Sequence, residues 1–245
     1  MVVEMLTQPC PLSIRVVVPM VVFALVVPFY IYIGIFITPG RTPLSPELPL
    51  DRLFTLQPVW SLVYGSHLLL FVLPFLVVRQ QEHIRRTVFA LLMIWTVSFA
   101  GFLGYPTVAP RPASVVGDGF LPWLLRLIYS ADPPYNCFPS LHVAHALVAS
   151  LTCYRVHRGS GLITSVWATL IAVSTLYTKQ HYFIDVIAGI LLACLGYVIF
   201  LRNFEGEPIP AQHRILAPVL TLSFIGIHLL TVTCFWAAYQ LRSMP

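Results

Sequence analysis

The sequence predicts an all-α, polytopic transmembrane helical bundle, and three features lead there. Of its 245 residues 58% are hydrophobic and only 9% charged. The mean hydropathy is +0.84. The apolar residues also gather into stretches close to the roughly 20 residues that a helix needs to cross a bilayer. A membrane β-barrel needs instead stretches of about ten residues alternating in polarity, and these are absent. Disorder is excluded by the shortage of charge, a collagen-like fibre by the lack of a glycine period, and no internal repeat is evident. The formal charge of +5 comes from 13 Arg and one Lys against 9 acidic residues. These basic residues lie dispersed between the apolar stretches, so they read as determinants of membrane orientation, and no nucleic-acid partner is expected. The five Cys form no CxxC pattern and no disulfide framework.

Taken in order, the first stretch is Val16–Thr38, 23 residues without a charge. It exceeds the apolar core of a signal peptide, about 15 residues at most, and no small-residue cleavage site follows, so it is expected to be retained as a span. Trp60–Val78, Thr87–Tyr105, a shorter Ser140–Val156, Leu162–Thr178, Tyr182–Leu201 and Ile215–Tyr239 follow, which makes about seven spans. Alternate threading puts Arg15, Arg79, Arg85, Arg86, Arg155, Arg158, Arg202 and Arg214 on one side. Arg41, Arg52, Arg111, Arg126, Lys179 and Arg242 fall on the other, a count of 8 against 6, or 8 against 4 if Arg111 and Lys179 are reserved for chemistry. The N-terminus is therefore expected in the cytoplasm, with Pro39–Val59, Thr107–Pro139 and the Lys179–His181 connection on the extracytoplasmic side. Within the second of these, Phe120–Ile128 reads as a short helix lying in the interface, with Trp123 and Arg126 at headgroup level.

Three polar clusters fall on that side. In Cys137-Phe138-Pro139-Ser140-Leu141-His142-Val143-Ala144-His145, Pro139 and Ser140 mark a helix start whose free N–H groups suit an anion where His142 emerges. In Tyr177-Thr178-Lys179-Gln180-His181-Tyr182-Phe183-Ile184-Asp185, His181 and Asp185 are four apart at a helix start, so they are expected on one face and within hydrogen-bonding reach. Such an Asp can fix the tautomer of the His and leave its other ring nitrogen free to attack. In Tyr105-Pro106-Thr107-Val108-Ala109-Pro110-Arg111-Pro112, Arg111 sits between two prolines on a stiff segment, and a guanidinium can hold two phosphate oxygens at once.

Arg111-Pro112, then Pro139-Ser140-x-His142, then His181-x-x-x-Asp185, in that order, resemble the three signature motifs of the type 2 phosphatidic acid phosphatase superfamily, over about residues 60–202. The resemblance implies a single membrane domain over 1–245, with a six-helix phosphatase-like core and one extra C-terminal span. It also implies His181 as the nucleophile that becomes phosphorylated, Asp185 as its orienting partner and His142 as proton donor. Arg111 and the amides near Ser140 and Leu141 would hold phosphate, with no metal or other cofactor required. The family's first motif usually opens on a Lys where this chain has Gly104, its third carries an Arg where this chain has Thr175, and its second has a Gly in place of Leu141. Tyr-Pro before Arg-Pro, Phe-Pro-Ser-Leu-His and Lys-Gln-His-Tyr-x-x-Asp look more like the branch containing inositol phosphorylceramide synthases. Lys179 and Tyr105 are the candidates to replace the missing phosphate contacts. The expected substrate is a lipid phosphate or phospholipid, and the expected activity is a lipid phosphatase, with headgroup transfer as the alternative. Two other readings stand beside these: a metal-dependent hydrolase using His142, His145, His181 and Asp185, and a transporter whose path the polar cluster lines. His67 and His228 read as polar contacts between helices, and His145 as a packing or supporting residue.

Overall fold

The computed structural model describes residues 10–203 and 211–242, and among these the regular structure is helical, with only isolated β-bridges and no strand. Helices α1 (Leu12–Tyr32), α2 (Ser61–Tyr64), α3 (His67–Val77), α4 (Gln81–Gly104), α5 (Phe120–Ala131), α6 (Leu141–Val156), α7 (Arg158–Tyr177), α8 (Phe183–Gly196) and α9 (Ala211–Arg242) follow one another along the chain. Six segments are long and apolar enough to cross a bilayer: Leu12–Gly40, Pro58–Val77, Gln81–Gly104, Arg158–Tyr177, Phe183–Leu201 and Ile215–Arg242. The protein is thus an integral membrane protein. The remaining expected span is α6, whose 16 residues rise about 24 Å, short of a full hydrocarbon core. It nonetheless runs antiparallel beside α7, and the turn joining them lies at the end opposite its Ser140 cap. The side chain of Arg214 lies outside the described residues.

Helix α6 is the core. Twelve of its residues are buried, on every side, because α3, α4, α7 and α8 surround it. Its hydroxyls are suited to that position: Thr152 donates to Val148 O at 2.8 Å and Ser150 to Leu147 O at 3.1 Å, so both are satisfied by the helix's own carbonyls. α1 and α9 are peripheral, and their Leu25, Phe29, Leu229 and Leu230 are more than 60% exposed, as a lipid-facing surface requires. α4 begins six residues before the expected Thr87. Glu82 accepts from Arg85 and Arg86, each at 2.7 Å, and these pairs one turn apart carry the helix beyond its apolar part. The short apolar helix α5, expected from the sequence over Phe120–Ile128, extends to Ala131, and Arg126 closes the loop before it by donating to Val115 O and Gly117 O, both at 3.0 Å.

The loops at one end of the bundle form a single layer. Leu44 N–H donates to Pro106 O at 2.8 Å, Ala109 N–H to Pro134 O at 2.7 Å and Gln57 N–H to Tyr177 O at 2.9 Å. The three polar clusters of the sequence therefore meet at one end. The other end gathers Arg15 on Leu76 O, Arg79, whose carbonyl accepts from Cys10 N–H, and Arg86 on Phe200 O.

A close helix approach sets the site. A Cβ at Gly189 of α8 would lie 2.6 Å from Ser140 O and 3.1 Å from Val143 Cβ, so only glycine lets α8 reach the first turn of α6. Gly189→Ala is expected to force these helices apart at a cost of about 1–3 kcal/mol, read as a lowered thermal midpoint in detergent together with reduced turnover. An unchanged midpoint and rate would show that this contact does not set the site.

Candidate active site

Ser140 caps α6 as expected: its Oγ accepts from Val143 N–H at 3.4 Å, and the side chain is fully buried. Its own N–H is engaged with the main-chain oxygen of Asp185 at 3.1 Å. That bond couples the start of α6 to the start of α8, and helix geometry leaves the amides of Leu141 and His142 as the first-turn donors.

His181 precedes α8 instead of lying on it, because the helix begins at Phe183 with Tyr182 as its cap. Contact with Asp185 arises differently from the expected shared helix face. The carboxylate folds back over the helix start, where Oδ2 accepts from Tyr182 N–H at 2.8 Å and stands 3.4 Å from His181 Nδ1. The same Nδ1 is 3.0 Å from Cys137 O. A carbonyl can only accept, so Nδ1 carries the hydrogen and Nε2 keeps its lone pair. That Nε2 faces His142 Nδ1 at 3.4 Å. Both imidazoles are buried, His142 at 9% and His181 at 5% exposure.

On its other side His142 presents Nε2 to the hydroxyl of Tyr64 at 2.8 Å. Tyr64 donates to Asp132 Oδ2 at 2.8 Å, and Tyr30 donates to Asp132 Oδ1 at 3.0 Å. Sequence reasoning missed all three. Tyr64 and Tyr30 look like ordinary aromatic residues of apolar spans; the one available signal was Asp132, an isolated acid beside Pro133-Pro134 in a chain with few acids.

Arg111 donates through Nε to Gln180 Oε1 at 2.9 Å and through Nη2 to the same oxygen. It also reaches Tyr129 O at 3.2 Å and Pro133 O at 3.4 Å, with its guanidinium 4.4 Å above the Tyr129 ring. It thereby bridges the segments that carry His181 and Asp132. Burial pushes the Tyr129 hydroxyl up to about 12 while the Arg111 charge pulls the other way, so Tyr129 stays neutral and donates to Thr178 O at 2.6 Å. Lys179, whose backbone is left-handed at φ 55°, donates to Asp51 O at 3.4 Å. Tyr105 is 41% exposed and packs edge-on against Phe138. The structure therefore brings His142, His181, Asp185, Ser140 and Leu141 together, with Arg111 one residue away, whereas Lys179 is engaged by Asp51 O and Tyr105 by the Phe138 ring at the edge of the group.

Of the four ligands weighed for a metal, His145 is turned away, between the rings of Phe71 and Trp95 at 5.2 and 4.9 Å. A different set converges among the described residues, Cys137, His181 and Asp185, with ligand atoms within 4.8 Å. Burial, with the Asp185 charge beside it, holds the Cys137 thiol well above its usual range, which favours the neutral thiol over the thiolate that a metal would bind. His67 bonds to Tyr64 O at 3.1 Å, and its ring stands 4.2 Å from that of His142, while His228 packs on Trp167. An apolar cavity of about 320 Å³, walled by Phe23, Phe71 and Trp95, ends on Asp132, Tyr64 and His142.

A family model described as the PAP2 superfamily matches residues 49–199. The chain is 28% identical over 129 residues to a PA-phosphatase related-family protein of Dictyostelium discoideum, covering 48% of this chain and 22% of that protein. It is 31% identical over 112 residues to phosphatidylcholine:diacylglycerol cholinephosphotransferase 2 of Arabidopsis thaliana, covering 43% and 33%. It is 28% identical over 140 residues to phosphoinositol dihydroceramide synthase of Bacteroides thetaiotaomicron, covering 46% and 44%. The matched segments thus span less than half the length of each relative. No solved structure gives a significant match.

Proposed function

Because this chain belongs to the PAP2 superfamily, we propose that it is a membrane enzyme that removes phosphate from a lipid phosphate through a phosphohistidine on His181. The observation that carries this reading is the lone pair of His181 Nε2, held towards His142 Nδ1 at 3.4 Å while Nδ1 is engaged by Cys137 O and Asp185. His181 Nε2 attacks phosphorus, and the P–O bond to the leaving oxygen breaks as His142 delivers its Nδ1 proton to that oxygen. Water then attacks the phosphohistidine, giving its proton to His142 as the N–P bond breaks. Arg111 exchanges Gln180 for a phosphate oxygen, and the first-turn amides of α6 bind another. Lys179 and Tyr105 reach the phosphate only if their side chains leave Asp51 and Phe138. The apolar cavity takes the lipid tail. The distribution of Arg supports a cytoplasmic N-terminus and a site on the extracytoplasmic face.

Headgroup transfer to an alcohol is the second reading, favoured by two positions. Gly104 leaves open space at the end of α4, and Thr175 is fully buried and bonded to Ala172 O, so neither supplies a cation. A phosphodiester carries less charge than a terminal phosphate and needs less compensation. Incubating the purified protein with labelled lipid phosphate and phospholipid, with and without diacylglycerol or ceramide, tests both. Acceptor-independent release of inorganic phosphate is expected; a new phosphodiester formed only with acceptor would replace phosphatase with transferase, and neither product would overturn the proposal. Turnover in excess chelator is expected to persist.

The rate should follow a bell-shaped pH profile, since His181 must be neutral to attack and His142 charged to donate. The acid limb reflects a proton on the attacking nitrogen and the alkaline limb loss of the donor proton, and both limits belong to the pair because the rings share one contact. A flat profile from about pH 5 to 8 would contradict this division of roles.

A further inference from the structure

We propose that Tyr64 and Asp132 are positioning residues for the proton donor: they hold His142 as the Nε2–H form, aim its Nδ1 at the phosphorus site and set a negative charge behind its imidazolium. The proposal rests on the phosphoryl-transfer reading above and extends it to residues outside the three motifs.

The argument is an accounting of hydrogens. A carboxylate accepts and does not donate, so each Asp132 oxygen takes a hydrogen from its tyrosine, Tyr30 on Oδ1 at 3.0 Å and Tyr64 on Oδ2 at 2.8 Å. Tyr64 has one hydroxyl hydrogen, and Asp132 takes it. The 2.8 Å contact from Tyr64 to His142 Nε2 can then be a hydrogen bond only if Nε2 carries the hydrogen. Neutral His142 therefore has its lone pair on Nδ1, which faces His181 Nε2 at 3.4 Å, where a second lone pair resides. Two lone pairs at that distance repel. A proton on His142 Nδ1 relieves the repulsion and makes the imidazolium, which donates forward to the site and backward to Tyr64.

The surroundings give Asp132 its importance. The groups around His142 are His181 ahead of it, His67 at its flank with rings 4.2 Å apart, His145 one turn along α6, and the Arg111 guanidinium, all neutral or cationic. Asp132, reached through Tyr64, is the carboxylate that counterbalances them on this side. Tyr64 is 3% exposed, Asp132 is partly buried, and both border the apolar cavity, so the attraction is screened less than at an open surface.

The test compares wild type, Tyr64→Phe and Asp132→Asn in detergent. Tyr64→Phe should lower kcat by about 10–100-fold with KM little changed. Asp132→Asn removes the negative charge that favours the imidazolium, so the alkaline limb of the pH profile should move to lower pH by on the order of one unit. In the first turnover of a p-nitrophenyl ester of the same phosphoryl group, read as the burst of p-nitrophenolate, the leaving oxygen needs no proton and the Tyr64→Phe deficit should nearly vanish. A variant that was merely misfolded would be equally slow on both leaving groups. Equal loss on both with an unmoved alkaline limb, or wild-type activity in both variants, would overturn the proposal. ¹⁵N spectra of labelled histidines decide it without turnover: wild type should show His142 protonated on Nε2 and Tyr64→Phe a mixture of tautomers. A wild-type Nδ1–H form would end the proposal even in an active enzyme, whereas wild type inactive on every lipid phosphate would end the phosphoryl-transfer reading alone.

Discussion

Replacing His181 with Ala should abolish turnover while leaving the protein folded. The imidazole is 5% exposed and makes two contacts through Nδ1 and one through Nε2, so its removal takes away hydrogen bonds but little apolar packing. Its chemical loss is of another order. Without a nucleophile the displacement must proceed in one step, with water attacking phosphorus directly, at a site whose base is held for a different geometry. No neighbour substitutes for it: Asp185 is tied to Tyr182 N–H and His142 points its remaining nitrogen at Tyr64. Rates measured on a lipid phosphate before and after the change decide the matter. Near-normal activity of His181→Ala would make the mechanism wrong, whatever the fold.

His142→Ala should be slower than wild type by about 10²–10⁴-fold, the usual contribution of a placed general acid. The loss should be smaller than for His181 because an alcohol leaving group can still depart, slowly, with its proton supplied by water. Combining the two changes should cost little more than His181→Ala alone, since the donor has nothing to do once the nucleophile is gone. A His142→Ala enzyme that releases no burst of p-nitrophenolate from a p-nitrophenyl ester would show instead that His142 binds phosphate or builds the site.

What the sequence revealed of this site follows from the solvent. In a chain that is 9% charged, every His, Asp or Arg near a span is conspicuous, which is why His142, His181, Asp185 and Arg111 stood out. The Pro139-Ser140 helix start was legible for a local reason, since a cap is fixed by the residues beside it. Three kinds of information were not local. The partner of His181 Nδ1 is a backbone carbonyl, Cys137 O, and no side chain announces it. Tyr64 and Asp132 lie 78 and 10 positions from His142 and are joined only when α2, the Pro133-Pro134 loop and α6 pack together. Gln180 looked like a linker residue, yet its oxygen holds Arg111. The bounds of α6 were legible, whereas its burial on every side was not, because its small and polar residues announce no single apolar face.

The central claim is that phosphorus becomes bonded to His181. Rapid acid-free quenching of the His142→Ala enzyme with a p-nitrophenyl ester labelled in its phosphoryl group, followed by digestion and mass spectrometry, tests it most directly. Slowed release should let the intermediate accumulate, and the label should sit on the peptide containing His181, stable to alkali and lost in acid. Label on another residue, or full turnover with no labelled peptide at any time, would contradict the account.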